Sequence, residues 1–319
     1  MTLLFGLITQ LLHVALMLAA GPVLIGAIRL LKARLLGRTG PHVLQPWRDL
    51  LRLFRKQPVL AENASWLFRA APAAAFAAIL AAAALVPTFA LGMAGGPVAD
   101  LLVIAGLLTL SRCILALAAM DIGTAFGGIG ASREMTFSAF AEPALLLVIF
   151  TLALLAGTTN LDVIADALRG GTYGLRVSLG LALIAAVAIG IAENGRIPVD
   201  NPATHLELTM VHEAMVLEYS GRHLALIEWG VGLKLLVWMS LITTIFLPFG
   251  AAPAGASPLL WLAGLAAWAA KVGVLAAALA TFETVIAKMR VFRVPEFLGI
   301  ALLLGLLAAV FLFVSQGLA

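Results

Sequence analysis

The sequence predicts an all-α protein that crosses a membrane about eight times and forms a single domain over residues 1–319. Of these residues, 63% are hydrophobic and only 11% are charged, and the mean hydropathy is +1.09. A bilayer core requires about 20 apolar residues per helix, and runs of that length recur along the chain. The alternation of apolar and polar residues that marks a transmembrane β-barrel is absent. The composition therefore indicates a polytopic helical membrane protein.

The apolar runs place the spans in order. They are predicted at residues 3–31, 69–91, 100–120, 134–155, 173–192, 224–246 and 259–286, and the eighth ends near residue 314. Gly21 and Pro22 predict a bend or kink in the first span. His13, in the same span, is expected to make a helix contact and not to bind a ligand.

An amphipathic helix is predicted between the first two spans. From Gln45 onward, Trp47, Leu50, Leu51 and Phe54 recur at the spacing of one helical face. Basic residues flank this face: Arg48, Arg52, Arg55 and Lys56. Such a helix is expected to lie at the membrane interface.

The basic residues predict the orientation of the spans. Alternate loops, those after spans one, three, five and seven, together with Arg69 hold fifteen of the 20 Lys and Arg residues, whereas the opposite loops hold only Arg169 and Arg176. The positive-inside rule then places the basic loops in the cytoplasm and the N-terminus outside. The N-terminus has no basic region before its first apolar run, so no cleaved signal peptide is expected.

The composition excludes several classes of site. Cys113 is the single cysteine, which rules out an intrachain disulfide, a CxxC site and an iron–sulfur cluster ligated by this chain alone. Redox chemistry nearby would belong to other subunits. Nucleic-acid binding is not expected, because the basic loop abuts membrane spans and the polar segment has no aromatic stacking platform.

Two charged positions interrupt the spans. Arg112 lies in the middle of the third span, where a charge is costly, so it should face protein and meet an acidic partner. A structural ion pair and a role in proton movement are equally open for it. Glu142 lies inside the fourth span, next to Pro143. Residues 121–133, which begin with Asp121, are glycine-rich and predict a loop or a broken helix.

Residues 192–221, AENGRIPVDNPATHLELTMVHEAMVLEYSG, form a polar segment between two apolar runs and hold five of the 16 acidic residues. Ionisable groups held near lipid are expensive, so this segment is the main candidate site. Its acids are Glu193, Asp200, Glu207, Glu213 and Glu218.

A helix beginning after Pro202 would place Glu207 and Glu218 on one face and Glu213 on a more apolar one. Desolvation would raise the pKa of Glu213 and suit it to carry protons. Alternatively, these acids pair with Arg196, Arg222 or the basic loops as structural ties. A zinc site is not expected, because His212-Glu213 begins an HExxH motif that Val216 breaks. No GxSxG element supports a hydrolase.

Several of these segments resemble a known family. Residues 193–200, ENGRIPVD, resemble the ETNRAPFD-type signature of subunit 1 (NuoH) of respiratory complex I. Glu207-Leu208 and the EYSG at 218–221 resemble its ExEL and EYSG elements. RTGPH at 38–42, followed by LQP at 44–46, resembles its RxGP(N)…QP loop, with His42 in place of the common Asn. The eight-span topology agrees over nearly the whole chain.

Within this family, residues 200–229 are similar to the branch found in formate hydrogenlyase and hydrogenase-4, the component C type. The resemblance implies a membrane subunit that anchors a peripheral redox arm and binds no cofactor itself. Its implied partners are the hydrogenase large and small subunits with a nickel–iron site, an iron–sulfur subunit and antiporter-like membrane subunits. The implied location is the cytoplasmic membrane of a bacterium or archaeon.

The same resemblance assigns residues to two roles. The proton-path candidates are Glu142, Glu193, Asp200, Glu207, Glu213 and Glu218, with Asp121 and Arg112. The peripheral-arm interface candidates are Arg38, His42, Arg196 and Tyr219. Alternative functions are the quinone-site subunit of complex I, or a stand-alone proton-coupled permease, which the absence of sequence repeats disfavours.

Overall fold

The computed structural model describes residues 2–170, 176–200 and 211–317, and within them every regular element is helical. The helices are α1 (Thr2–Leu35), α2 (Gln45–Phe54), α3 (Trp66–Leu85), α4 (Leu101–Asp121), α5 (Ala125–Ala156), α6 (Leu161–Arg169), α7 (Val177–Glu193), α8 (His212–Val216), α9 (Gly221–Phe246), α10 (Pro258–Val285) and α11 (Val294–Gly317).

The predicted fold class is confirmed. Seven helices in the described ranges are long and apolar enough to cross a membrane: α1, α3, α4, α5, α9, α10 and α11. The described part of the predicted fifth span, α7, is an apolar helix of 17 residues. The chain is thus a multi-pass membrane protein, with about eight spans.

Helix α9 lies at the centre of the bundle. Most of its residues are buried, and it contacts α1, α2, α3, α6, α7 and α10. Gly21 of α1 and Gly232 of α9 let the two backbones touch, because a Cβ at Gly21 would lie 3.1 Å from the backbone nitrogen of Leu233. Helix α11 packs on α5 and α7 on the other side of the bundle.

Helix α1 continues through Pro22. Proline has no N–H, so the carbonyl of Leu18, four residues earlier, has no donor within the helix. The indole N–H of Trp229 in α9 donates to this oxygen at 3.0 Å, and the indole of Trp47 in α2 donates to the next carbonyl, Ala19, at 3.1 Å. Side chains of other helices therefore satisfy the backbone at the proline, as an apolar environment requires.

The amphipathic helix is confirmed as α2. Pro46 and Leu50 are buried against the bundle, whereas Arg48 and Arg52 are exposed. Leu51, predicted on the apolar face, is instead 54% exposed. The helix packs on α1 and α9, and Trp47 and Trp229 meet edge to face. His13 makes the predicted helix contact, since its ring bonds to Thr88 and to the carbonyl of Ala83.

The predicted loop or broken helix at residues 121–133 is wrong beyond residue 124, because α5 begins at Ala125 and runs unbroken for 32 residues. Two of its glycines, Gly127 and Gly130, allow close packing between helices. A side chain at Gly127 would overlap the carbonyl oxygen of Ala119 in α4, and one at Gly130 would lie 3.0 Å from Met215 in α8.

The second span ends earlier than predicted, at Leu85. Val86 is extended because it precedes Pro87. The residues that follow contact the loop after α9. The Leu91 N–H donates to the Ala252 carbonyl and the Ala252 N–H donates to the Phe89 carbonyl, each at 2.9 Å, which forms an isolated β-bridge between Ala90 and Ala252.

Two neighbouring glycines test the packing role of the α5 N-terminus. We expect Gly127→Ala to lower the free energy of unfolding by about 1–3 kcal/mol, because the added methyl group overlaps α4. A methyl group at Gly128 would have no other atom within 4 Å, so Gly128→Ala should gain up to about 1 kcal/mol from helix propensity. Thermal unfolding of the purified chain in detergent measures both. Equal changes in the free energy of unfolding for the two substitutions would contradict the packing role of Gly127.

Candidate functional site: a buried charge network

Glu193, at the C-terminus of α7, lies between two cations. Its Oε1 is 2.5 Å from Nη1 of Arg112 in α4, and its Oε2 is 3.2 Å from Nζ of Lys234 in α9. The ammonium of Lys234 also donates to the Glu193 carbonyl at 2.7 Å. The carboxylate side chain is only 3% exposed. Three helices are thus joined through one acidic residue.

Two further carboxylates approach Arg112 from α5. Glu134 Oε1 lies 3.8 Å from the Arg112 Nε, and Glu142 Oε1 lies 3.4 Å from Nη2. Glu134 is buried, whereas the Glu142 side chain is 37% exposed and connects the network to the outer surface of α5. The prediction that Arg112 has an acidic partner is confirmed.

Carboxylates outnumber cations among the described members of this network. Glu134, Glu142 and Glu193 lie within 4 Å of Arg112, Glu193 also meets Lys234, and His212 Nε2 is 3.6 Å from Glu134 Oε1. An uncompensated buried charge is expensive. The buried carboxylates of Glu134 and Glu193 are therefore held beside cations, whereas Glu142 is partly exposed.

A cavity of about 70 Å³ adjoins the network. Its charged wall includes Arg112, Glu193 and His212, and its apolar wall includes Pro72 and Phe76 of α3. Within the described chain, several polar atoms at this cavity have no hydrogen-bond partner: Arg112 Nε, Asn194 Oδ1 and both ring nitrogens of His212. A polar cavity of this size meets the conditions for bound water.

Arg196 leads into a second buried cluster. Its Nη1 lies 3.5 Å from Oε1 of Glu283 in α10, and the other oxygen of Glu283 is 2.8 Å from Nζ of Lys32 in α1. Burial lowers the pKa of the Arg196 guanidinium, and the Glu283 carboxylate opposes this shift. The Glu283 side chain is 1% exposed. Arg196, predicted at the peripheral-arm interface, is thus mostly buried in an ion cluster.

Asp200 is tied to the segment after α10. Lys288 Nζ lies 2.7 Å from its Oδ1, and the backbone N–H of Val211 donates to Oδ2 at 3.3 Å. The N–H of Met289 also donates to the carbonyl of Pro198 at 2.8 Å. These contacts match the structural alternative considered for the acids of the polar segment.

The predicted continuous helix from residue 203 to Glu218 is wrong. Helix α8 spans only His212–Val216, since Val211 has φ −121° and ψ −80°, and Glu218 lies in the following turn. The periodicity that placed Glu207 and Glu218 on one face therefore does not hold, and Glu207 lies outside the described residues. Glu213 is partly exposed and Glu218 is exposed, while Ala214 and Met215 of α8 are buried against α4 and α5.

Tyr219 and Asp121 hold the start of α3. The Tyr219 hydroxyl donates to the Phe68 carbonyl at 3.0 Å, and its ring stacks on Phe68 with centroids 4.0 Å apart. Burial raises the pKa of this phenol, and the charge of Asp121 adds to the increase, so the hydroxyl stays protonated. Asp121 accepts from the Ser65 N–H at 3.0 Å. Tyr219 is 4% exposed.

Arg38 and His42 lie in the loop between α1 and α2, and both are exposed. His42 Nδ1 accepts from the Leu44 N–H at 3.1 Å, which shapes the turn before α2. The structure thus leaves these two interface candidates accessible at the end of the bundle that carries the polar segment.

Sequence reasoning did not select five residues of the two clusters: Lys32, Glu134, His212, Lys234 and Glu283. Glu134 had a signal, because it lies eight residues before Glu142 and so shares its helical face. Lys234 and Glu283 could have been selected because each is an ionisable residue inside a predicted span, which by itself marks a candidate site. His212 was considered only as a metal ligand, and its contact with Glu134 depends on the turn that begins α8.

The comparisons with known proteins agree with this architecture. The chain is 38% identical to hydrogenase-4 component C of Escherichia coli over 233 residues, 72% of each protein, and 33% identical to formate hydrogenlyase subunit 4 of Escherichia coli over 279 residues, 87% of this chain and 89% of the relative. The H subunit of NADH-quinone oxidoreductase from Rickettsia bellii is 29% identical over 219 residues, 66% of this chain and 63% of that protein.

One solved structure shares the fold. A chain of the membrane-bound sulfane sulfur reductase, an archaeal respiratory membrane complex, superposes with a TM-score of 0.80 at 22% identity, covering 96% of this chain and 99% of that one. The family model described as NADH dehydrogenase matches residues 7–314. With nearly its whole length matched, the chain belongs to the NADH dehydrogenase family of membrane proteins.

Proposed function

We propose that this chain is a noncatalytic membrane subunit of a nickel–iron hydrogenase complex of the formate hydrogenlyase or hydrogenase-4 type. It docks the peripheral redox arm and couples electron transfer there to proton movement. The observation that carries the coupling role is the network in which Glu134, Glu142 and Glu193 surround Arg112 beside a polar cavity, because carboxyl groups can take up and release protons.

The similarities favour this function over the quinone-site alternative. The two Escherichia coli relatives, named for hydrogenase-4 and formate hydrogenlyase, match more of the chain at higher identity than the Rickettsia relative. By this proposal, the partners are the hydrogenase large and small subunits, an iron–sulfur subunit and antiporter-like membrane subunits. Those partners carry the iron–sulfur clusters and the nickel–iron site, in the cytoplasmic membrane of a bacterium or archaeon.

The proton route runs through the buried network. Glu134, His212 and Glu193 border the cavity, and water within it would connect them by hydrogen bonds. Arg112 keeps its charge and holds Glu134 and Glu142 on either side of it, and Glu142 opens to the outer surface of α5.

The docking surface lies at the basic end of the bundle. Arg38 and His42 are exposed there, and α2 presents Arg48 and Arg52, with Arg55 directly after it, beside them. Exposed positive charges at one end attract a complementary acidic surface and orient its approach.

Purification of the intact complex tests the proposal directly. A hydrogenase large subunit should co-purify with this chain, and hydrogen evolution should accompany it. Quinone reduction without hydrogen evolution would support the complex I alternative instead, and proton-coupled transport by the isolated chain in liposomes would support a permease.

Neutralising the network should impair coupling. We expect Glu134→Gln and Glu142→Gln each to lower coupled turnover at least about tenfold, because a proton carrier is removed, while the complex still assembles. Glu213→Gln tests the carrier assigned from the sequence in the same assay. The matched control is Glu62→Gln, an exposed acid at the same end of the bundle. Full activity of all three carrier variants would leave the acids with a structural role only.

Docking should depend on the basic loop. Arg38→Ala is expected to weaken the association of the soluble arm about fivefold, and more at high salt, because exposed charges are screened. Arg169→Ala, exposed at the opposite end, should have no effect. Native gels and salt titration of arm dissociation measure this, and an unchanged complex in the Arg38 variant would argue against the assigned surface.

A further inference from the structure

Helix α3 contains a proline where it borders the charged cavity. Pro72 lies inside α3 and has no N–H, so the carbonyl of Phe68 has no donor within its own helix. Phe68 is fully buried, and an unpaired carbonyl there would be costly. The Tyr219 hydroxyl donates to this carbonyl at 3.0 Å. The donor that α3 lacks therefore comes from the segment between α8 and α9.

That segment is held firmly on the chain that leads into α3. Ser220 Oγ accepts from the Val59 N–H at 2.8 Å and lies 3.2 Å from the Val59 carbonyl. Gly221 has φ +53°, and a Cβ there would lie 2.7 Å from the carbonyl of Gln57, so only glycine fits. Tyr219 is the first of three consecutive residues that fix the end of α8 against residues 56–68.

The two elements joined by Tyr219 both line the cavity. Pro72, Ala75 and Phe76 of α3 and His212 and Met215 of α8 are among its lining residues. Tyr219 lies three residues after the end of α8, and its acceptor lies one helical turn before Pro72. One hydrogen bond thus ties the chain that follows α8 to the start of α3.

We propose that Tyr219 is a positioning residue of the charged cavity, whose hydroxyl replaces the backbone donor that Pro72 removes and so holds the chain that follows α8 against α3, which keeps the cavity between His212 and α3 closed. The arrangement repeats the one at Pro22, where Trp229 donates to the Leu18 carbonyl. The role of the cavity in proton movement rests on the proposed function, whereas the positioning role of Tyr219 does not.

The closure is tested by the accessibility of Met215, which is buried at the cavity. The single native thiol is removed with Cys113→Ser, and Met215→Cys introduces a reporter into the full chain in its native membranes. We expect Tyr219→Phe to accelerate modification of the reporter by a small methanethiosulfonate about tenfold, since the ring remains but the donor is lost.

Pro72→Ala supplies the decisive comparison, because alanine returns an N–H to the Phe68 carbonyl. In the Pro72→Ala background, Tyr219→Phe should change the modification rate less than about twofold. Phe68→Leu is the matched control: it removes the ring stacking but keeps the carbonyl, so Pro72→Ala should not compensate for it.

Two results would overturn the proposal: a Tyr219→Phe rate equal to that of the parent, or a Tyr219→Phe effect that persists undiminished in the Pro72→Ala background. If Tyr219→Phe alone does not accumulate, recovery of folded protein in the double variant supports the proposal and its failure to recover contradicts it. The assay needs no turnover, so its outcome is independent of whether a hydrogenase co-purifies.

Discussion

Glu193 is held between Arg112 and Lys234, and the meeting of α4, α7 and α9 depends on this arrangement. A single buried cation or anion would be prohibitively expensive among apolar helices, whereas the hydrogen-bonded group of opposite charges is tolerated. Because Lys234 also caps the α7 carbonyl at Glu193, the ion network fixes the point at which α7 ends. The polar segment that follows therefore begins from a fixed position.

The residues after Glu193 are fixed by a second network on the other side of the bundle. Arg196 meets Glu283 of α10, and Asp200 meets Lys288 shortly after it. The segment 193–200 thus connects the network of α4, α5 and α9 with the cluster of α1 and α10.

Buried backbone carbonyls, like the buried charged side chains, need a polar partner in an apolar environment. Prolines inside α1 and α3 leave carbonyls without helical donors, and an indole and a phenol from the α8–α9 region satisfy them. These bonds fix α9 to α1, and the chain just before α9 to α3, at defined positions along each helix. They also explain why Tyr219, which a sequence resemblance places at a protein interface, lies buried against Phe68.

The sequence by itself determined the helical membrane architecture, the position of most spans and the amphipathic helix α2, because hydropathy and helical periodicity are local properties. It also required an acidic partner for Arg112, since a charge inside a span must be compensated. The prediction of a loop or a broken helix at residues 121–133 is wrong beyond residue 124, because a glycine-rich composition suits either a turn or a close helix contact, and only the neighbouring Ala119 and Met215 distinguish them.

Tertiary structure decided which carboxylates meet Arg112, the burial of Arg196 and Tyr219, and the inclusion of Glu134 and Glu283 in ion clusters. Each of these contacts joins helices that are far apart in the chain, and neither spacing nor composition encodes which faces of two helices will pack together. The extent of α8 was likewise decided by packing, because Val211 is held by Asp200 in a non-helical conformation that its local sequence does not require.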